Sequence, residues 1–397
     1  MKFTTQISDL QKCLQKVFPA VSQKPSFDLL ELFSLELVDD ELTIVASDIE
    51  LTVLTKLIVQ GEGNGGVLVH AKTINDIVKG LPSDKDITFD VGEDDFMITL
   101  TSGKSTFEIQ GVNVEEYIEL PELFKNDVPK EGDKNAIFFK QETIKKLADK
   151  TFFAISKEDY RVNMTGVLFQ FRDTYVNSVS TDSFRLVRYT HFAEGGQKFP
   201  EGLDLLVPEK AMDVFRKIDA DAILSFNDPK DKKDKQDKPQ DKPTMLRVDY
   251  GNVILVTRLI KETFPNYEKI VPITSNCIAT FDVSAFIDTI KKLSAVANPT
   301  TKLCKLNFSK DTLEIIVEDS DKGRKGVSEI QCELEDMDTF EILFDYTYLS
   351  EMVSNITSNE TTNNLVSMYF LDANKAALIK PKSDLDQIIE ILMPKRL

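Results

Sequence analysis

The chain has 397 residues, of which 42% are hydrophobic, and a formal net charge of -18 at pH 7. It contains no run of 18 apolar residues, which excludes a transmembrane helix, and it is long enough to form several packed cores. The acidic balance alone argues against nucleic-acid binding, because phosphates are held by Lys and Arg. Net charge is an average over the surface, however, and is compatible with one basic face.

The chain opens with MKFTTQISDLQK, which lacks an apolar h-region and predicts a first strand and helix rather than a signal peptide. The four cysteines are dispersed and form no CxxC pair. We therefore expect buried free thiols and a cytoplasmic protein. They are Cys13, Cys277, Cys304 and Cys332.

Alternating and β-branched runs dominate the chain and predict antiparallel strands joined by short hairpins. The turns are indicated by DD, GEDD, RDT and DYGN between successive runs. In chain order the runs are LELFSLELVDDELTIVASD, ELTVLTKLIVQ, DITFDVGEDDFMITLTS, TGVLFQFRDTYVNSVSTD, LRVDYGNVILVTRLI and TLEIIVEDSD.

Two helix-like segments each recur three times. AKTINDIVKGL from Ala71 corresponds to PEKAMDVFRKI from Pro208 and DYTYLSEMVSNI from Asp345, each 137 residues after the last. ISDLQKCLQKV, ETIKKLADK and SAFIDTIKKL form the second set. So long a period indicates tandem copies of a whole domain rather than stacked small repeats. The predicted fold class is α+β, with three tandem copies of a two-helix, antiparallel-sheet domain.

Polar stretches that carry Pro or Gly near 120–135 and 262–272 predict the domain boundaries. The three domains are predicted at 1–125, 134–262 and 263–397. The segment 228–243, with five Asp and six Lys, is too polar to bury a core. We expect it to be a disordered loop between two strands, and its nearly neutral charge argues against a DNA-gripping role.

No pattern in the chain indicates an active site, a metal or a cofactor. His70 and His191 lack metal-ligand spacing and are expected to be structural. GEGNGG at 61–66 formally matches GxGxxG, but a strand follows it, so a hairpin loop is favoured over a nucleotide site. An enzyme that uses this loop is the weakest of three functional hypotheses.

Positive charge recurs on the predicted helices from copy to copy. On one amphipathic helix lysines usually form a solvated face, but five of the six helices carry bases. Side chains lining one cavity could hold any duplex by its phosphates, since such contacts carry no sequence information. The exception is the last helix, which has Glu351 and no base. The basic residues are Lys12, Lys16, Lys72, Lys79, Lys145, Lys146, Lys150, Lys210, Arg216, Lys217, Lys291 and Lys292.

With these residues in view, the chain resembles the bacterial sliding clamp, the beta subunit of the replicative DNA polymerase III, from end to end. FPxY…P and MPxRL are fairly specific when they occur together at these positions. The motifs that carry the resemblance are MKF, SQKP (22–25), ASDIEL (46–51), TGVLF (165–169), STDSFRLV (180–187), VPEKAM (207–212), FPNYEKIVP (264–272) and MPKRL (393–397).

The resemblance implies a head-to-tail homodimer in which each chain forms half of a six-domain ring. Such a ring encircles double-stranded DNA of any sequence and tethers the replicative polymerase for processive synthesis. It has no catalytic site of its own. Lys24 and Arg161 lie at loop positions where the family contacts the duplex.

The resemblance also implies a groove between the second and third domains that takes short peptide motifs from the polymerase, clamp loader and repair proteins. Apolar side chains would bury the peptide's anchors, and two arginines, Arg185 and Arg396, would orient it. Ordinary core packing is the alternative explanation for the apolar members. By position the groove residues are Met164, Thr181, Ser183, Phe184, Arg185, Leu186, Pro265, Lys269, Ile270, Tyr348, Ile391, Leu392, Met393, Pro394, Arg396 and Leu397.

Two departures from the family pattern motivate an alternative to the leading hypothesis of a sliding clamp. TDGHR of the family is TDSFR here, and DSDKGRKG at 319–326 is not simply acidic, although the family pairs a basic edge with an acidic one. Phe107 and Ile109 are the expected first-domain side of the dimer contact, and Ala295 and Val296 the opposite side. The alternative is a divergent paralogue that acts as a scaffold or partner subunit without closing on DNA alone.

Overall fold

The computed structural model describes residues 1–22, 24–130, 133, 135–227, 242–272, 274–356, 362–382 and 387–396. The six predicted helical segments are all helices, and none in the described part of the chain is long and apolar enough to cross a membrane. The predicted 228–243 loop falls largely on residues 228–241, which lie outside the described residues. The helices are α1 (Ile7–Val17), α2 (Ala71–Gly80), α3 (Gln141–Phe152), α4 (Glu209–Phe215), α5 (Val283–Leu293) and α6 (Tyr346–Asn355).

The helices form where an apolar stripe follows a capping side chain. In α1 the buried positions Ile7, Leu10, Leu14 and Val17 recur at helical spacing. The ring of His70 accepts a hydrogen bond from the backbone N–H of Thr73 at the start of α2, and Asp282 and Asp345 cap α5 and α6 in the same way. His70 is therefore a structural residue, as the sequence analysis predicts.

The chain divides into two compact units, which do not follow the predicted domains. Unit 1 comprises Met1–Lys145 and Lys210–Ile260, and unit 2 comprises Lys146–Glu209 and Lys261–Leu397. The predicted middle domain is thus shared between the two units. Every strand pair described in either unit is antiparallel, as predicted.

Unit 1 contains two sheets. The five-stranded sheet has the order β5-β1-β7-β8-β9, and the nine-stranded sheet has the order β10-β6-β2-β3-β4-β18-β17-β16-β11. Their strands are β1 (Lys2–Gln6), β2 (Leu32–Val38), β3 (Glu41–Ser47), β4 (Leu51–Ile58), β5 (Gln60–Glu62), β6 (Gly65–His70), β7 (Asp86–Val91), β8 (Met97–Ser102), β9 (Ser105–Gln110), β10 (Val112–Asn113), β11 (Ala136–Phe139), β16 (Ala222–Phe226), β17 (Met245–Tyr250) and β18 (Val253–Arg258).

Unit 2 contains one sheet of twelve strands. Its order is β15-β12-β13-β14-β26-β25-β24-β19-β22-β21-β20-β23. Its strands are β12 (Gly166–Arg172), β13 (Tyr175–Thr181), β14 (Arg185–Phe192), β15 (Asp204–Pro208), β19 (Cys277–Asp282), β20 (Leu303–Ser309), β21 (Thr312–Asp319), β22 (Arg324–Glu335), β23 (Thr339–Asp345), β24 (Leu365–Phe370), β25 (Ala377–Pro381) and β26 (Ile388–Leu392).

Strands of neighbouring repeats pair directly within each unit. β4 pairs with β18 over five residue pairs, including Leu54 with Ile254, and β14 pairs with β26 from Arg185–Leu392 to Tyr189–Ile388. These contacts join the first repeat to the second and the second to the third by backbone hydrogen bonds. The compact units cut across the second repeat because its strands belong to two different sheets.

The hairpin predictions hold except at GEGNGG. Asp39, in the β2–β3 turn, has φ of +55°, a conformation that Asp tolerates better than most residues. β5 and β6, on either side of GEGNGG, pair with strands of different sheets, so the segment is a crossover rather than a hairpin loop. A Cβ on Gly61 would lie 2.2 Å from the carbonyl oxygen of Asp39, so close packing requires this glycine.

A buried arginine on β17 holds the segment that follows β10 against the nine-stranded sheet. Arg247 is 1% exposed, and its guanidinium makes a two-point ion pair with Asp249 at 2.7 Å. It also donates hydrogen bonds to the backbone carbonyls of Leu123 and Asn126 at 2.6 and 2.9 Å. The carbonyls satisfy two of the three remaining donors, and such added hydrogen bonds make a buried ion pair tolerable.

All four cysteines are free and buried, as predicted. Burial raises the pKa of Cys277 to about 11 and the pKa of Cys304 and of Cys332 to about 12, and it also raises the pKa of Cys13. A raised pKa keeps each thiol protonated at neutral pH. Because the thiolate is the reactive form, these cysteines should be chemically quiet.

Thiol titration of the folded protein should reflect this burial. We expect less than ~0.1 equivalent of thiol to react with a disulfide reagent within minutes at pH 8, since burial both shields the sulfur and removes the thiolate. All four cysteines should react after unfolding in guanidinium. Fast reaction of one equivalent in the folded protein would contradict the burial described here.

Replacing Arg247 should destabilise the fold strongly. Arg247→Met leaves the Asp249 carboxylate buried without a partner, and we expect a loss of about 3–5 kcal/mol of unfolding free energy. Urea unfolding followed by far-UV circular dichroism measures the loss. Arg258→Met, at an exposed site on β18, is the matched control and should change stability by less than about 0.5 kcal/mol. Equal effects of the two changes would refute the role of the buried pair.

Candidate functional site

Four of the predicted basic residues line one cleft in unit 1. The cleft has a volume of about 610 Å³ and an apolar floor of Phe18, Pro19 and Val21. The ammonium of Lys79 lies 5.9 Å from the centre of the Phe18 ring, so the aromatic face supports the charge. A single acid, Asp213, lines the same cleft. The basic residues are Lys24, Lys79, Lys210 and Lys217.

Several bases around this cleft are held by acids. Lys16 pairs with Asp219 at 3.0 Å, Lys217 pairs with Asp213 at 2.6 Å, and Lys210 pairs with Asp48. An exposed pair such as Lys217–Asp213 contributes little to stability, whereas the Asp48 carboxylate that holds Lys210 is only 3% exposed. Lys12 and Arg216 pair with acids on their own elements. In contrast, Lys24, Lys72 and Lys145 are exposed and make no ion pair with any residue the structure describes.

In unit 2, the predicted basic residues differ in their accessibility. Lys291 and Lys292 are exposed at the end of α5, and Arg161 is half-buried beside Glu158. The ammonium of Lys146 lies 5.4 Å from the centre of the Tyr189 ring. Lys150 does not fit the prediction of a solvent-facing base.

Lys150 is only 6% exposed and donates a hydrogen bond to the backbone carbonyl of Asn355. Asn355 in turn donates to the carbonyl of Lys150 and to the Glu390 carboxylate. The lysine therefore links α3 to α6. Lys150 is therefore not among the bases that we propose face DNA.

The TDSFR segment forms a strained turn between β13 and β14. Ser183 has φ of +79°, a conformation that non-glycine residues seldom adopt. Asp182 holds the turn, because its carboxylate accepts hydrogen bonds from the N–H groups of Phe184 and Arg185. The Ser183 hydroxyl accepts from Arg161 at 2.5 Å and lies 3.3 Å from the sulfur of Met164. The turn thus brings together four of the predicted groove residues and Arg161, which is predicted to contact DNA.

An aromatic residue of this turn stacks on a second aromatic ring. Phe184 is 51% exposed and stacks on Tyr348, with ring centres 6.3 Å apart. The guanidinium of Arg185 lies 4.4 Å from the centre of the Tyr348 ring and 5.1 Å from that of Phe153. Burial raises the pKa of Tyr348, so its phenol stays neutral in this stack at physiological pH. Phe184 thereby presents an apolar face to solvent.

Arg185 is nearly buried and is held by partners within the chain. It is 8% exposed, and its guanidinium pairs with Asp182 and with Glu351 and donates to the carbonyl of Phe153. Each of its three guanidinium nitrogens therefore donates at least one hydrogen bond within the chain. Glu351, the acid that interrupts the basic helix pattern, is explained by this pair.

The predicted C-terminal residues divide into core and surface. Leu186, Ile391 and Leu392 are at most 2% exposed, so core packing, the alternative explanation, describes Leu186 and Leu392. Met393 is 44% exposed, and its N–H donates to the carbonyl of Phe184. Pro394 is half-buried and Arg396 is exposed, while Leu397 lies outside the described residues.

The segment 263–270 lies beside the same turn region. The side chain of Asn163 donates to the carbonyl of Thr263 at 3.1 Å, and Tyr267 donates to Gln170 at 2.6 Å. Ile270 is 55% exposed, Lys269 is exposed and Pro265 is half-buried. Thr181 is buried and donates to the carbonyl of Arg185. Exposed Phe184, Ile270 and Met393 are apolar surfaces available for a ligand.

Sequence reasoning missed three residues that shape this groove: Asp182, Phe153 and Glu351. Asp182 and Glu351 hold Arg185, and Phe153 lies against its guanidinium. Glu351 carried a usable signal, because it was the one acid where the other helices have bases. Phe153 carried none, since its neighbours come from distant parts of the chain.

Two of the predicted dimer residues lie on an edge strand and the other two in a turn after a helix. Phe107 and Ile109 are half-buried on β9, the last strand of the five-stranded sheet. Ala295 is exposed and Val296 half-buried in the short 3₁₀ turn Ser294–Val296 after α5. These two pairs belong to different units.

No group of three or more His, Cys, Asp or Glu side chains within the described ranges could hold a metal ion. The candidate sites described above are a basic cleft, a surface with exposed apolar side chains, the edge strand β9 and the turn after α5.

Comparison with known proteins finds one family along the whole chain. Models of the DNA polymerase III beta subunit match in order: the N-terminal domain at residues 1–121, the central domain at 139–266 and the C-terminal domain at 268–396. The beta sliding clamps of Haemophilus influenzae and Caulobacter vibrioides are each 25% identical to this chain, with full coverage of both chains.

Solved structures agree on the fold. A DnaN sliding clamp from Bartonella birtlesii bound to griselimycin superposes with a TM-score of 0.84 at 22% identity, covering both chains fully. The beta subunit from Thermotoga maritima gives 0.83 at 19% identity, covering 100% of this chain and 99% of that one. With its three tandem clamp domains, this chain belongs to the family of the DNA polymerase III beta subunit, the beta sliding clamps.

Proposed function

We propose that this chain is a DNA sliding clamp that encircles duplex DNA and tethers the replicative DNA polymerase for processive synthesis. The observation that carries the proposal is the match of all three clamp-domain models, in order, over nearly the whole chain. It supports the division into domains at 1–125, 134–262 and 263–397. The match does not favour the divergent paralogue, which was suggested only by two short segments of the sequence.

Two copies form a six-domain ring in this proposal, each chain contributing half. Topology then retains the ring on DNA, so tight binding to the duplex is unnecessary. The exposed bases supply weak phosphate contacts that carry no sequence information, which suits sliding. In the proposed ring, the net charge of -18 repels DNA from the outer surface. The DNA is therefore favoured in the central hole, which the basic side chains line.

Partner proteins bind the groove that contains Phe184, Tyr348 and Met393. A short peptide of the polymerase, clamp loader or repair proteins places apolar anchors on these exposed side chains. Tethering raises the local concentration of the polymerase at the primer end, which replaces affinity for DNA. The clamp works in the cytoplasm, without cofactor or metal, and contributes no catalytic group.

Retention on circular DNA tests the ring. After loading by a clamp loader with ATP, the protein should stay on a closed circular duplex at high salt and leave once the duplex is cut. A closed ring stays on circular DNA because the two are topologically linked. A protein that only binds the DNA surface is held by phosphate contacts, which salt weakens. Equal release from circular and linear DNA would refute encirclement.

Reversing charge in the basic cleft should weaken loading. We expect Lys24→Glu/Lys79→Glu/Lys217→Glu to reduce the amount loaded on circular DNA at least ~tenfold, because three phosphate contacts become repulsive. Lys85→Glu/Lys198→Glu/Lys375→Glu changes the same net charge at exposed sites outside the cleft and should load normally. Loss of loading in both variants would assign the effect to net charge rather than to the cleft.

Truncating Phe184 should weaken partner binding. Phe184→Ala removes an exposed anchor surface, and we expect the Kd for the replicative polymerase to rise at least ~tenfold in biolayer interferometry. Phe192→Ala is a matched control, since Phe192 lies on β14, is 44% exposed and has a ring centre 6.3 Å from that of Tyr175. Griselimycin serves as a second ligand. Equal effects of the two variants would refute the groove.

A further inference from the structure

The basic cleft of unit 1 has features that contacts with a duplex do not require. A duplex is convex and is held mainly through its phosphates, so bases on an open surface are enough to bind it. Here the bases surround a concave space of about 610 Å³ that has an apolar floor. Small-molecule sites in proteins have volumes of this order and combine apolar walls with a few polar groups. The cleft is therefore suited to a small anionic ligand that also has an apolar part.

An unpaired amide lies in the wall of this cleft. Asn75 is 4% exposed and lines the cleft, and its side chain makes no hydrogen bond with any residue in the described part of the chain. Buried amides normally have partners, because leaving one unpaired costs free energy. Neither polar atom of Asn75 is sealed off from solvent. The amide can therefore both donate a hydrogen bond to a ligand in the cleft and accept one from it.

The floor of the cleft contains an aromatic ring that is held in place. Phe18 begins the 3₁₀ turn Phe18–Ala20 after α1 and is half-buried. The fully buried ring of Phe33 packs edge-on against it, with ring centres 6.3 Å apart. Flat ring systems such as nucleic-acid bases stack on aromatic side chains whatever their sequence. Phe18 therefore offers a platform for a base.

Helix α2 places the amide and a base on one face. Asn75 and Lys79 are four residues apart, and positions at that spacing are neighbours on a helix surface. The ammonium of Lys79 lies 5.9 Å from the centre of the Phe18 ring. Lys24 and Lys79 make no ion pair with any residue that the structure describes, so both are available to an anion. The aromatic ring, the amide and the free bases thus share one space.

We propose that this cleft binds a free adenine nucleotide with several phosphates, such as ATP. The adenine ring lies on Phe18, the amide of Asn75 pairs with its edge, and the phosphates lie among Lys24, Lys79 and Lys217. The inference goes beyond the proposed function, because it adds a small-molecule ligand to a surface that otherwise faces DNA.

The polar groups of the cleft favour adenine and a polyphosphate. A side-chain amide has a donor and an acceptor side by side, which match N7 and the N6 amino group of adenine. Guanine has two acceptors at that edge, so one of the two hydrogen bonds is lost. A DNA strand carries one phosphate charge per nucleotide. Four lysines around the place of a single base match the several charges of a nucleoside triphosphate better.

A bound nucleotide would compete with the duplex for the same bases. Lys24, Lys79 and Lys217 are among the side chains that we propose contact the phosphates of DNA. A nucleotide that neutralises them would weaken the direct attraction of the protein to DNA. The ring would stay closed, so retention by topology would be unaffected.

Calorimetric titration of the protein with ATP tests the site. We expect saturable binding of one ATP per chain. Tripolyphosphate, which has no base, should bind at least ~tenfold more weakly because stacking on Phe18 is lost. GTP should bind at least ~fivefold more weakly than ATP because one hydrogen bond to Asn75 is lost.

Two variants separate recognition of the base from attraction by charge. Asn75→Ala should abolish the preference for ATP over GTP and leave the affinity for tripolyphosphate unchanged. Folding should be unaffected, since the amide has no hydrogen-bond partner to lose among the described residues. Lys24→Ala/Lys217→Ala should weaken ATP and tripolyphosphate alike at least ~tenfold and keep the preference for ATP over GTP.

The control is Lys85→Ala/Lys375→Ala, which removes two exposed lysines outside the cleft and should bind ATP normally. Equal affinities for ATP and tripolyphosphate, or an unchanged preference for ATP in Asn75→Ala, would overturn recognition of the base. Absence of saturable ATP binding would overturn the proposal as a whole. Tighter binding of an oligo(dA) strand than of ATP would also overturn it and assign the cleft to an unpaired base of DNA. Retention on circular DNA is measured without reference to these affinities, so the proposed function and this inference can fail separately.

Discussion

Backbone pairing between strands of different repeats is the interaction on which the rest of the structure depends. β4 with β18 and β14 with β26 extend the sheets from one repeat to the next. Side chains alternate between faces, so these registers decide which residues of each repeat are buried. The groove follows from the second pairing, because β26 brings Met393 beside Phe184, and Arg185 lies opposite Leu392.

Much of the secondary structure was predictable because it depends on local periodicity. The six helices and most hairpins follow from helical spacing, capping side chains and turn residues such as Asp39. The pairing between repeats was not predictable, since it joins residues about 200 positions apart, as in Thr55 with Val253. GEGNGG was misread for the same reason: its flanking strands pair with distant partners.

For the predicted site residues, the structure adds the accessibility of each side chain, which the sequence does not show. The helix pattern placed Lys150 at a functional surface and the resemblance placed Arg185 at one, but burial decides what such residues do. Each side chain is less than 10% exposed and is engaged by backbone carbonyls. A sequence shows a charge without showing whether solvent reaches it. Phe184, by contrast, is 51% exposed and follows Ser183, whose positive φ is a strain that is typical of functional turns.

The strand pairing between repeats also bears on how the chain tolerates a break. The segment after β10 contributes the carbonyls of Leu123 and Asn126 to Arg247, but β4 and β18 are held by their own ladder. A proteolytic nick in that segment would leave both pieces joined through the nine-stranded sheet. Neighbouring repeats could therefore be supplied as separate polypeptides and assemble by complementation, with the covalent connection acting mainly to fix their stoichiometry.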